Sequence, residues 1–346
     1  MYQSFYGLTD KPFHLTPDPN FFYGSSIHNR AMSYLQYGVQ SGEGFIVISG
    51  DIGTGKTTLA NSLIEQIRDD NITVLHMVTT RLEPEDLLRV TASKLGLSHQ
   101  ASSKAVLVEQ IEQALTTLYD EGRRALLIVD EAQNLPPESV EELRMLSNFQ
   151  TQGRPLLQSF LLGQKELRTL LRGPEMEQFR QRIVASLNLT PLNHQETAEY
   201  IQYRIDCVSR QPQRIFTDQA LDVIFEYSQG VPRKINTLAD RALLFGYLSE
   251  ARIIDADDVK RVLEELTEES LVEGALDAQY PLDEDKAALE FGDNKVEEDL
   301  EYLKTSIAEI RDTLEVTLKH KLKLSRYLDN VIKRRLERLK QGNDAP

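Results

Sequence analysis

Gly50 is followed five residues later by Gly55 and then directly by a lysine and a threonine, so that Gly50-Asp51-Ile52-Gly53-Thr54-Gly55-Lys56-Thr57 meets the pattern G-x-x-x-x-G-K-[ST]. Such a loop lets consecutive backbone N–H groups turn inward on phosphate oxygens, and the helix that follows adds the positive end of its dipole. The expected ligand is ATP, held by Gly50, Asp51, Ile52, Gly53, Thr54, Gly55, Lys56, Thr57 and Thr58. Lys56 is expected to neutralise the β- and γ-phosphates, and the Thr57 hydroxyl to bind Mg²⁺. A second motif is the apolar run Ala125-Leu126-Leu127-Ile128-Val129, which ends in Asp130-Glu131. With a phosphate loop at this separation, Asp130 is the expected second Mg²⁺ ligand and Glu131 the residue that polarises the attacking water.

Phosphoryl transfer needs further positive charge at the γ-phosphate. Arg182, in Phe179-Arg180-Gln181-Arg182-Ile183, is expected to project from the far side of the core towards a neighbouring subunit, with Arg180 as its substitute. Arg233, in Gly230-Val231-Pro232-Arg233, is expected to reach the nucleotide of its own subunit. Gln164 is the best-placed polar residue to meet the γ-phosphate or the water, a helix-capping role being the alternative. The acid directly after Asp130 argues for an ATPase over a GTPase. The nearest guanine-reading string, Asn294-Lys295-Val296-Glu297, lacks the aspartate that reading requires. Asp130-Glu131-Ala132-Gln133 also spells a helicase-like box, but a helicase of that type needs a second strand-rich motor domain.

These residues must be positioned by an alternation of strands and helices. Apolar runs at 45–49, 72–78, 125–129, 157–162 and 184–189 read as strands, and the segments between them carry helical periodicity. That pattern predicts an α/β fold, a parallel sheet covered by helices on both faces, over residues 1–190. Residues 191–266 contain only helical patterns and are expected to form a small helical lid domain. The acidic stretch 267–295, with Gly274, Pro281 and Gly292 interrupting any helix, reads as a solvated linker. Over 296–341, Val296, Leu300, Leu303, Ile307, Ile310 and Leu314 follow the a/d spacing of a coiled coil. The register then slips, and the polar positions of 319–340 turn basic, giving a basic amphipathic helix.

Asp and Glu number 54 against 39 Lys and Arg, for a net charge of −15, which disfavours nonspecific attraction to nucleic acid or anionic membrane. Cys207 is the single cysteine, so no intrachain disulfide forms, and a buried place in the core is expected for it. No secretory leader or membrane-spanning run is evident, which points to the cytoplasm with at most peripheral membrane contact.

Further strings join these motifs: Phe5-Tyr6-Gly7-Leu8, Lys11-Pro12-Phe13, Pro17-Asp18-Pro19, Phe21-Phe22-Tyr23, His28, Arg30-Ala31, Gly42-Glu43-Gly44-Phe45, Asp130 to Leu135, Leu143 to Phe149 and Gly230 to Asn236. On them the chain resembles the ExeA/GspA family of AAA+ ATPases over about residues 1–263. Within that family it is similar to the shorter members associated with exosortase (XrtA, PEP-CTERM) and exopolysaccharide loci. The resemblance implies an AAA+ P-loop core, Mg²⁺-ATP hydrolysis, an arginine finger at Arg182, a sensor arginine at Arg233, and a homo-oligomeric ring or partial ring. It also implies that Phe22, Tyr23 and His28 lie near the adenine. Secretion-type members continue into a membrane helix and a peptidoglycan-binding domain, which this sequence does not show, so cell-wall remodelling is not carried over.

The expected role is therefore a regulatory or assembly ATPase of an envelope export system, with the C-terminal helix engaging an unidentified protein of that system. The alternative is an ATP-dependent DNA-binding target selector like the transposition ATPases, resting on the basic stretch 319–340. The apolar stripe within that stretch, and the net negative charge, favour protein over nucleic acid. An interfacial membrane helix, or internal neutralisation of the acidic linker, are the other readings of this tail.

Overall fold

The computed structural model describes residues 2–68, 71–79, 81–97 and 103–279. The expected coiled coil and basic helix over 296–341 lie outside the described residues. In chain order the molecule begins α1 (Tyr2–Tyr6), α2 (Ser26–Ser41), β1 (Phe45–Gly50), α3 (Lys56–Gln66), β2 (Ile72–Val78), α4 (Pro84–Lys94), α5 (Lys104–Asp120), β3 (Arg124–Asp130) and α6 (Pro137–Leu146). A small hairpin, β4 (Gln150–Thr151) and β5 (Arg154–Pro155), leads into β6 (Leu157–Gly163), α7 (Lys165–Arg172), α8 (Glu177–Arg180) and β7 (Ile183–Leu189). Helices α9 (His194–Asp206), α10 (Asp218–Ser228), α11 (Pro232–Leu248) and α12 (Ala256–Gln279) follow.

Five strands form one parallel sheet in the order β2-β3-β6-β1-β7. Every residue of β1 and β6 is buried. Strands covered on both faces need no polar alternation, which is why they read in the sequence as unbroken apolar runs. On one face Leu35 of α2 and Leu59 and Leu63 of α3 pack against Ile46, Ile48 and Phe160. On the other, Leu88, Leu107, Leu143 and Phe179, from α4, α5, α6 and α8, pack against Val47, Leu127 and Leu161. Because β3, β6 and β1 are neighbours running in one direction, the loops at their C-terminal ends open at one rim of the sheet, where such folds place ligands.

A second cluster joins Ile201, Leu238, Leu243 and Ile254 of the helical part to Tyr2, Tyr6, Phe13 and Phe21 from the start of the chain. The Tyr2 hydroxyl donates to Asp240, and the Tyr6 hydroxyl donates to the Ala251 carbonyl at 2.9 Å. Residues 2–21, expected with the sheet, thus pack among the helices. Short aromatic segments carry no periodicity that tells which of two cores they join. Helix α12 also departs from expectation, running through Gly274 to Gln279 where the acidic linker was expected to be free of helix. One glycine costs an otherwise favourable helix only about 1 kcal/mol. Cys207, expected in the core, is exposed just past the end of α9. Among the described residues no helix is long and apolar enough to cross a membrane.

Candidate functional site

The glycine-rich loop leaves β1 at Gly50 and enters α3 at Lys56, with Gly55 as the N-cap residue. Thr54 is fully buried, and its hydroxyl donates to the Asp51 carbonyl at 2.8 Å, closing the loop on itself. Lys56 is 6% exposed, and its ammonium donates to the carbonyls of Gly50 at 2.9 Å and Asp51 at 3.1 Å. Burial pushes the lysine pKa below its ordinary value, against the opposing pull of Glu131, Asp130, Asp51 and Glu166. The Asp51 carboxylate pairs at 2.6 Å with Lys165, the first residue of α7, while Ile52 is exposed at the tip of the loop. Arg233 comes down on this loop from the helical part. Its N–H donates to the Gly53 carbonyl at 3.2 Å, and a Cβ on Gly53 would stand 2.6 Å from the Arg233 Cβ. Only a residue without a side chain admits that approach.

The Thr57 hydroxyl donates to Asp130 Oδ2 at 2.6 Å, so the two expected Mg²⁺ ligands are in contact. Asp130 is 1% exposed and accepts the Glu131 N–H through Oδ1 at 2.9 Å. Glu131 itself sits in the left-handed region at φ 55°, a conformation that costs a non-glycine residue about 1 kcal/mol or more. Thr79, at the end of β2, supports this turn. Its hydroxyl lies 2.9 Å from the carbonyl oxygens of both Asp130 and Glu131, and its N–H donates to Asp130 at 3.0 Å.

The Glu131 carboxylate is held by two amides. Gln133 Nε2 donates to Oε2 at 2.6 Å and Gln164 Nε2 donates to the same oxygen at 3.2 Å. The Gln133 Oε1 in turn accepts the Gln164 N–H at 2.9 Å. Gln164 stands at the N-cap position of α7 but its side chain makes no capping bond there, which removes the alternative considered for it. Sequence reading passed over Thr79 and the role of Gln133. The only available signals were that Gln133 sits within the Asp130-Glu131-Ala132-Gln133 string and that Thr79 directly follows a strand.

Arg182 is not brought to this site. Strand β7 pairs with β1 so that Ile183 faces Phe45 and Leu189 faces Gly50, which puts Arg182 at the rim of the sheet opposite the glycine-rich loop. Its guanidinium donates to the Ser147 hydroxyl at 2.9 Å. Arg180 is committed differently: one nitrogen donates to the carbonyls of Leu171 at 2.9 Å and Gly173 at 2.6 Å, tying down the C-terminal end of α7.

Between the loop, the segment 14–23 and the helical part lies a cleft of about 990 Å³, the open space at its mouth included. Phe22, Tyr23, His28, Lys56, Thr58 and Arg233 are among its lining residues. Arg204 braces the wall: its Nε donates to the Pro12 carbonyl at 2.6 Å and its guanidinium lies 4.4 Å from the centre of the Phe21 ring. The Tyr23 hydroxyl donates to Glu199 at 2.7 Å. Both ring nitrogens of His28 are engaged, one with Ser25 and the other with the loop carbonyl of Thr54.

Residues 39–171 match the model of a family described as an AAA domain. Over 260 residues, 75% of the chain, the sequence is 36% identical to General secretion pathway protein A of Aeromonas hydrophila. That relative is longer, and the chain spans 47% of it. Among solved structures, the ORC2 protein of Aeropyrum pernix (ADPNP-ADP complexes) is similar with a TM-score of 0.58 at 18% identity, covering 75% of this chain and 72% of that one. Cdc6p of Pyrobaculum aerophilum is similar with a TM-score of 0.57 at 14% identity, covering 76% and 70%. At such identities the likeness is one of fold.

Proposed function

For a chain that belongs with the ExeA/GspA-like AAA+ ATPases, we propose that the cleft binds Mg²⁺-ATP and hydrolyses it to ADP and phosphate. The observation that carries this reading is the convergence, at adjoining strand ends, of the Thr57–Asp130 contact at 2.6 Å with a Glu131 carboxylate oriented by Gln133 and Gln164. A hydroxyl and a carboxylate oxygen are the hard donors that Mg²⁺ takes when phosphates and waters complete its shell. Thr57 and Asp130 would hold the ion, which when bound draws charge off the phosphate oxygens. Backbone N–H groups of the loop and the Lys56 ammonium bind the phosphates. Glu131 accepts a proton from the attacking water, and the two glutamines fix the direction in which its carboxylate faces. Arg233, resting on Gly53 from α11, reports the nucleotide to the helical lid.

Arg182 completes the site only from a neighbouring copy, which favours a homo-oligomeric ring or partial ring. The same reading divides the chain into a core over 1–190, of which residues 2–21 pack with the lid, a helical lid over 191–266 and a tail that meets a partner. The chain's likeness to a general secretion pathway protein supports a regulatory or assembly role in an envelope export system, which the reading takes to be of secretion or exopolysaccharide/exosortase type. The test is ATP binding and turnover by the purified full chain beside Lys56→Ala. Wild type is expected to turn over ATP and the variant to lose it. Equal behaviour of the two, with neither binding nor hydrolysis, would overturn the proposal.

A further inference from the structure

His28 lies in α2, outside the glycine-rich loop, yet is only 5% exposed and makes its longest-range contact with that loop. The Thr54 carbonyl can only accept, so the ring nitrogen 2.9 Å from it, Nε2, carries a proton. The other nitrogen, Nδ1, is 2.7 Å from the Ser25 hydroxyl, which can donate to it. The bond pattern is thus that of a neutral imidazole with its hydrogen on Nε2. Burial, the larger influence, pushes the histidine pKa below 6.5, against the raising effects of Thr54 and Glu196. Ser25 is itself fixed, since it is 2% exposed and serves as the N-cap of α2.

A trans peptide points its C=O and the following N–H in opposite directions. Among the described residues there is no cis peptide bond. A hydrogen bond that draws the Thr54 carbonyl towards α2 therefore turns the Gly55 N–H away from α2. We propose that His28 is a positioning residue for the nucleotide: by holding the Thr54 carbonyl it aims the Gly55 N–H into the hollow of the loop as a phosphate donor. A Cβ on Gly55 would stand 3.2 Å from His28 Nε2, so the ring sits close against this turn of the loop. The inference rests on the ATP-site reading above.

The test uses the full chain and ATP itself, with Kd, KM and kcat measured for wild type, His28→Leu and His28→Gln. Leucine keeps apolar volume and removes the donor. Glutamine restores an amide N–H at about the reach of Nε2. The expected result is that His28→Leu weakens Kd and KM for ATP about tenfold with kcat within about twofold of wild type, the loss of one preorganised donor, and that His28→Gln recovers most of the affinity. Thermal unfolding of each variant separates this from loss of fold, and if leucine prevents folding the glutamine variant carries the comparison, with affinity near wild type expected. The proposal is overturned if His28→Leu binds ATP as tightly as wild type, or if a folded His28→Gln binds no better than the leucine variant. Failure of wild type itself to bind ATP would instead remove the site on which the proposal rests.

Discussion

Glu131 combines a left-handed backbone, fastened by Thr79, with a carboxylate gripped by two glutamine amides, so its charge and its direction can be separated experimentally. Glu131→Gln keeps the shape and removes the base; ATP binding should persist while kcat falls by about 10²–10⁴. Gln133→Ala leaves the base and one of its two tethers, and a smaller drop in kcat, roughly tenfold, is expected from single-turnover measurements with KM unchanged. His28 supplies a pH dependence of stability. Its folded pKa is lowered by burial, so below its ordinary 6.5 the unfolded chain takes up a proton that the folded chain refuses. Stability is therefore lost as pH falls from 6.5 towards the folded value and is insensitive to this group at higher pH. His76, also lowered by burial, acts in the same direction. Urea midpoints at about pH 5.5 and about pH 7.5 should differ less for His28→Gln than for wild type.

At the scale of elements, the turn from α10 into α11 sets where Arg233 lands. Gly230 has φ +72°, and a Cβ there would come within 1.9 Å of the Leu192 carbonyl oxygen. The Leu192 N–H also donates to the Gly230 carbonyl at 2.9 Å, so neither strand of this contact can retreat alone. Gly230→Ala should cost about 3 kcal/mol in urea unfolding, at the upper end of overpacking penalties, and should lower ATP turnover by shifting Arg233 off Gly53. The sheet, the glycine-rich loop and the Asp130–Glu131 pair were legible because each is local: an apolar run and the residues that end it lie within one stretch of chain. Thr79 and His28 were not read as supports, because the carbonyls they hold are brought near only by the fold, while Gln133 lies two residues from Glu131 and its residue type does not show that its amide turns back on that carboxylate. Residues 2–21 were misassigned for a related reason, since Tyr2 finds Asp240 across most of the chain. Gly274 was read as a break by residue type, yet the flanking residues carry the helix through it.

For the molecule as a whole, the placement of Arg182 at the rim opposite its own glycine-rich loop makes a testable demand on assembly. Arg182→Ala retains a complete phosphate site, and Lys56→Ala retains a complete finger. If the finger acts between copies, mixing the two inactive variants should restore part of the ATPase rate, whereas Arg180→Ala, whose guanidinium serves α7, should lower stability and offer no such complementation. A mixture no faster than the sum of its parts would place Arg182 outside the reaction.

The packing of residues 2–21 among the helices means that the chain passes between the sheet and the lid twice, once before α2 and again between β7 and α9. The two passages are stitched together, because Glu196 of α9 accepts both the N–H of Ser26 at 3.0 Å and its hydroxyl at 2.7 Å. A body hung from one thread can swivel about any axis. Hung from two that are fastened side by side, it has fewer ways to turn, so the contact of Arg233 with Gly53 is held by the same fastening that joins the two passages.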